Sequence, residues 1–112
     1  MHLIALQLDV VWEDKPANFR KVRSRLEQLR PAPSSLVALP EMFATGFSMN
    51  VEGVAEPYGG ETEQFLGEVA REFGIWIAGG AAMRGRDGLA RNKALVFNPA
   101  GELAAYYAKC CL

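Results

Sequence analysis

Residues 61–83 read ETEQFLGEVAREFGIWIAGGAAM, and the change of period inside this stretch decides the fold. From Glu61 to Phe73 the apolar residues Phe65, Leu66, Val69, Ala70 and Phe73 recur at helical spacing, with Glu63, Glu68, Arg71 and Glu72 off the stripe. Gly74 then supplies the left-handed residue that ends a helix. Ile75 to Met83 is apolar without alternation, as in a strand buried on both faces. A helix running straight into a buried strand is the repeating unit of an α/β sheet. The Gly79-Gly80 pair inside that strand predicts a close backbone approach or a bulge.

Working outward, Asp87-Gly88 predicts a hairpin turn and 90–97 a fourth strand. Asn98-Pro99-Ala100-Gly101 predicts a second turn, and 102–109 a fifth strand. On the amino-terminal side, 35–39 (SLVAL) is a short strand stopped by Pro40, and 48–60 is a long surface connection carrying Gly53, Pro57, Gly59 and Gly60. Phe19, Val22, Leu26 and Leu29 form an apolar stripe on a helix entered at Pro16, capped by Asp14 and ended by Pro31 to Pro33. Residues 3–11 (LIALQLDVV) read as a mostly buried, central strand. The order β-α-β-α-β-β-β predicts three parallel strands followed by antiparallel ones, with both helices on one face and nothing in the sequence to cover the other.

Composition excludes several classes. With 112 residues there is room for one core, and 12 Lys+Arg against 13 Asp+Glu give a charge of -1, which offers no basic surface to nucleic acid. No apolar run approaches the roughly 20 residues that cross a bilayer. The expectation is a cytoplasmic protein without nucleic-acid or membrane partners. The lone His2 predicts no metal site, and the absence of a GK[ST] or GxGxxG loop predicts no nucleotide. Cys110 and Cys111 are neighbours and frame no loop-closing disulfide. Basic residues on the outer face of the first helix are interleaved with acidic ones and read as a solvated face.

Glu41 is the carboxylate whose place suggests chemistry. It follows an apolar strand and Pro40 and stands among Met42, Phe43 and Phe47, surroundings that favour holding a proton near neutral pH. A loop glutamate satisfied by backbone amides fits the same place. Lys109, at the end of the strand carrying Tyr106 and Tyr107, reads by itself as a solvated strand end. Phe43 and Phe47 suit either a pocket wall or the core.

Three runs change the weight of these residues: LPEMFATGF at 39–47, RNKALVFNPAGE at 91–102 and YYAK at 106–109. With the acidic-then-Asn helix start from Asp14 to Phe19 and the IxGG strand from Ile77 to Gly80, they resemble the nitrilase superfamily of carbon-nitrogen hydrolases along the whole chain in register. The LPEMF…GF form is most similar to the omega-amidase branch, whose members hydrolyse amides of dicarboxylic 2-oxo acids. The resemblance implies a four-layer α-β-β-α sandwich, of which residues 1–112 are the amino-terminal portion, a mixed sheet with two helices.

It also implies a Glu-Lys-Cys mechanism in which Glu41 is the general base and Lys109 the triad lysine, acting on a small-molecule amide without cofactor or metal. The family's nucleophilic cysteine lies well downstream of the lysine. Strand alternation would turn Cys110 away from Lys109, and Cys111 has no following turn or helix to activate it, so neither replaces that nucleophile. The expectation is a partial domain, truncated after its lysine and inactive alone, that self-associates or awaits a carboxy-terminal half. The alternative is a non-catalytic fragment or partner-binding protein that uses its uncovered sheet face.

Overall fold

Helix α1 (Lys15–Leu29) begins as its sequence predicts. Asp14 Oδ1 accepts the Ala17 N–H at 3.1 Å, and Pro16 sits in the first turn, where its missing donor costs nothing. The computed structural model describes residues 2–40, 43–44, 55–57, 59–85 and 87–108, with the backbone alone at 107 and 108. Val22 and Leu26 are wholly buried, but Leu29, expected on the same stripe, is 46% exposed. It is the last residue of the helix, and the left-handed Arg30 turns the chain away directly after it.

Helix α2 (Glu61–Phe73) follows the predicted bounds. Gly74 adopts φ 64° and donates its N–H to Ala70 O, and Glu61 and Glu63 place negative charge at the helix start.

Five strands form one mixed sheet in the order β1 (Leu3–Ala5), β2 (Leu36–Ala38), β3 (Trp76–Arg84), β4 (Ala90–Phe97), β5 (Leu103–Ala108). β1, β2 and β3 are parallel, whereas β3–β4 and β4–β5 are antiparallel, as the element order predicts. Two details differ from expectation. The first strand is three residues long and stands at the edge of this sheet rather than at its centre. The pairing runs one residue further at each end, with His2 O accepting from the Leu36 N–H and Leu6 donating to Ala38 O, and by Val11 the main-chain N–H and C=O pair with the Asn18 carboxamide. The glycine pair in β3 makes no bulge, since Ile77 to Arg84 pair without interruption with Phe97 to Ala90. The irregularity lies instead at Val96/Phe97 against β5.

Both helices pack on one face of the sheet, where Val37, Ile77, Met83, Leu95 and Phe97 meet Val22, Leu26, Leu66 and Val69 in a single core. The opposite face carries a row of small side chains in register across all five strands: Ala5, Ala38, Ala78, Val96 and Ala105. Neither helix covers that row.

Candidate active site

Glu41 and Lys109 lie outside the described residues, as do Phe47, Cys110 and Cys111. The frame on which they are strung is described. β2 ends at Ala38, and Leu39 still donates its N–H to Ala78 O at 2.9 Å, so the chain is held against β3 up to the residue before Pro40. Beyond Glu41 and Met42, Phe43 is 0% exposed, with its ring centroid 6.1 Å from that of Phe19 and 6.4 Å from that of Phe65. Phe43 is a core residue.

Parallel pairing from β1 to β3, followed by two antiparallel steps, points β5 the same way as β2. The carboxyl ends of β2 and β5 therefore share one end of the sheet, where open α/β sheets bind their ligands. β3 and β4 separate them, a span of roughly 14 Å at about 4.8 Å per strand. Between those two ends runs the sheet face turned away from the helices. The face there is lined by small residues, Ala78, Gly80 and Ala82 on β3 and Ala94 on β4, together with Asn92. Asn92 Oδ1 is buried and has no hydrogen-bond partner among the described residues. Asn92 directly precedes Lys93, whose register partner is Ala108, the residue before Lys109 in the chain.

Three further polar residues stand out that sequence reasoning did not assign. Asn18 is 0% exposed; its carboxamide accepts the Val11 N–H at 2.7 Å and donates to Val11 O at 2.7 Å and to Ala44 O at 2.6 Å. The signal for it was its place four residues before Val22 on the buried stripe, where a polar residue must find internal partners. Glu56 is 6% exposed and receives the Lys15 ammonium at 2.7 Å, the Thr62 N–H at 2.7 Å and the Thr62 hydroxyl. This ties the starts of both helices to one carboxylate and, through the Glu56 bridge to Met83, to β3. Lys93 is buried on the helix-bearing face, with its ammonium 5.5 Å from the Tyr106 ring centre.

An open groove of about 810 Å³ lies on that helix-bearing side, lined in part by Glu63, Asp87, Arg91, Lys93, Leu95 and Tyr106. Asp87 and Arg91 are paired across 2.7 Å, and the guanidinium together with the Leu89 N–H holds the Asp87 carboxyl down to about 2. The groove is on the opposite side of β4 from Asn92. Among the described residues no three His, Cys, Asp or Glu side chains cluster as metal ligands would.

The sequence matches the family model described as Carbon-nitrogen hydrolase over residues 3–112. Omega-amidase YafV of Yersinia enterocolitica is 35% identical over 108 residues, covering 95% of this chain and 40% of that protein. Omega-amidase NIT2 of Homo sapiens is 32% identical over 108 residues, covering 96% of this chain and 38% of that protein. Among solved structures, XC1258 from Xanthomonas campestris, described as a CN-hydrolase superfamily protein with an arsenic adduct in the active site, aligns with a TM-score of 0.86. It is 32% identical and is matched over 97% of this chain and 41% of its own. The chain thus spans about two fifths of the length of these relatives.

Proposed function

Because this chain belongs to the carbon-nitrogen hydrolase family, we propose that it carries two of the three catalytic groups of an omega-amidase-like enzyme, Glu41 and Lys109. The third, a cysteine, comes from sequence outside these 112 residues. One observation carries the reading: the LPE run follows β2 in sequence, the YxK run begins within β5 at Tyr107, and the topology brings the carboxyl ends of these two strands to the same end of the sheet. The small side chains of β3 and β4 leave room between them.

In this scheme the Glu41 carboxylate takes the proton of the cysteine thiol, and the thiolate attacks the amide carbon. The Lys109 ammonium stabilises the oxyanion that forms. The C–N bond breaks, Glu41 returns the proton to the leaving nitrogen, and ammonia departs. Water, deprotonated by Glu41, then attacks the thioester, and the thiol and free acid are regenerated. The steps use side chains and water alone. The substrate is the amide of a small dicarboxylic 2-oxo acid, by similarity to the omega-amidases. A nucleophilic thiol of this kind is kept reduced in the cytoplasm, the compartment we assign on that ground. No helix among the described residues is long and apolar enough to cross a membrane.

Ammonia release from such an amide tests the reading. The full-length protein hydrolyses it and a 112-residue polypeptide alone does not. Full activity in the isolated 112 residues, or in a full-length Lys109→Ala variant, would overturn it.

The row Ala5, Ala38, Ala78, Val96 and Ala105 favours a second reading, in which this portion serves as a non-catalytic binding surface. Sedimentation with an apolar-surface dye separates the two. A partner-binding chain associates and binds dye even as part of the full-length protein, whereas a buried catalytic half does so only when isolated.

A further inference from the structure

We propose that Asn18 is a positioning residue for Glu41, which it serves by anchoring the segment that follows the glutamate. The proposal rests on the reading of Glu41 as the general base. Ala44, whose carbonyl takes one Asn18 N–H at 2.6 Å, lies three residues beyond Glu41 and 26 residues from Asn18 in sequence. On the other side of Glu41, Leu39 is bonded to Ala78 of β3, and Phe43 is wholly buried. The chain is therefore fixed two residues before and two residues after the glutamate, and Asn18 closes the far anchor from α1.

The residue type is specific to this task. A carboxamide has two N–H donors and an acceptor in one plane. Asn18 uses the acceptor and one donor to pair with both main-chain groups of Val11, which leaves the second donor for Ala44. Aspartate would set its oxygens against two carbonyls, and leucine would leave the buried Ala44 carbonyl and both part-buried main-chain groups of Val11 without this partner. The bridge to Val11 alone would suffice to hold the entry into α1. The bond to Ala44 is the part that reaches the segment carrying the base.

The test uses the full-length protein with Asn18→Ala, the milder Asn18→Ser, whose hydroxyl is too short to span both partners, and Val22→Ala as a control. Val22 is wholly buried one turn further along α1 and has no polar tie to Ala44. The expected result is a loss of at least tenfold in kcat in both Asn18 variants with KM changed less than threefold. The acidic limb of the pH profile of kcat/KM also moves, while the control melts at lower temperature with that limb unmoved. Amide hydrogen exchange across 39–46 rises at least tenfold over the control. Should Asn18→Ala fail to fold, Asn18→Ser carries the comparison. Equal kcat, pH limb and exchange in the Asn18 and Val22 variants would overturn the proposal. Wild-type turnover in Glu41→Gln would instead remove the reading of the base, and the exchange measurement keeps the two failures apart.

Discussion

A Cβ placed on Gly79 would lie 3.0 Å from Cε1 of Phe43 and 3.3 Å from a methyl of Leu66, so the middle of β3 gives up its side chain where the ring packs. This contact sets the depth at which the segment after Glu41 enters the core. Gly79→Ala pushes the ring or the leucine aside, an overpacking cost of about 1–3 kcal/mol. A lower melting temperature of the full-length protein checks it, and an unchanged one contradicts it.

Phe43 itself is expected to matter more. It is wholly buried among Phe19, Phe65 and Leu66, so Phe43→Ala removes a large side chain and leaves a cavity, a loss of about 3–5 kcal/mol. Denaturant titration reads the loss. A value below 1 kcal/mol would show that Phe43 is not the core residue described.

These two residues show what the sequence makes legible. The period change around Gly74 located α2 and β3, and the glycine pair flagged a close approach. A one-dimensional pattern cannot say that the approaching group is an aromatic ring from a segment more than thirty residues away. The same limit applies to the first strand. Leu3 to Val11 is apolar enough for a long central strand, but Asn18 captures the main chain at Val11, a tertiary contact that no apolar period reports. Glu56 fell in a stretch with no apolar period, so its burial against Lys15 and Thr62 had no signal in hydropathy. Glu41 and Lys109 were legible only as motifs, since each has an ordinary reading by itself and gains meaning from the strand ends that the topology brings together.

The Lys15–Glu56 pair gives a third prediction. Lys15→Met leaves a nearly buried carboxylate with, among the described residues, only the Thr62 donors, at a cost of roughly 1–3 kcal/mol. That is less than the loss of a fully buried pair, because Lys15 keeps some exposure and Thr62 still donates. Thermal unfolding of this variant beside Lys21→Met, whose partner Asp9 is fully exposed, isolates the buried contribution. Equal melting temperatures would contradict it.

Asp87 gives a prediction in pH. Its carboxyl is held down to about 2 first by the hydrogen bond from Arg91 and then by the Leu89 N–H. A depressed carboxylate favours the folded state above the unfolded pKa of about 4, and that contribution is lost as pH falls through about 2. An NMR titration is expected to place Asp87 near 2 in the unaltered protein and closer to the ordinary carboxylate value in Arg91→Leu. A titration that is the same in both would contradict the pairing.

The role proposed for Glu41 is that of the base in an amide-hydrolysing site built on this sheet end. Its most direct test is kcat/KM of the full-length protein and its Glu41→Gln variant on the amide of a dicarboxylic 2-oxo acid, with ammonia release as the readout. A fall of about 10²–10⁴-fold is expected in the variant, with its melting temperature retained. Equal rates in the two proteins would contradict it.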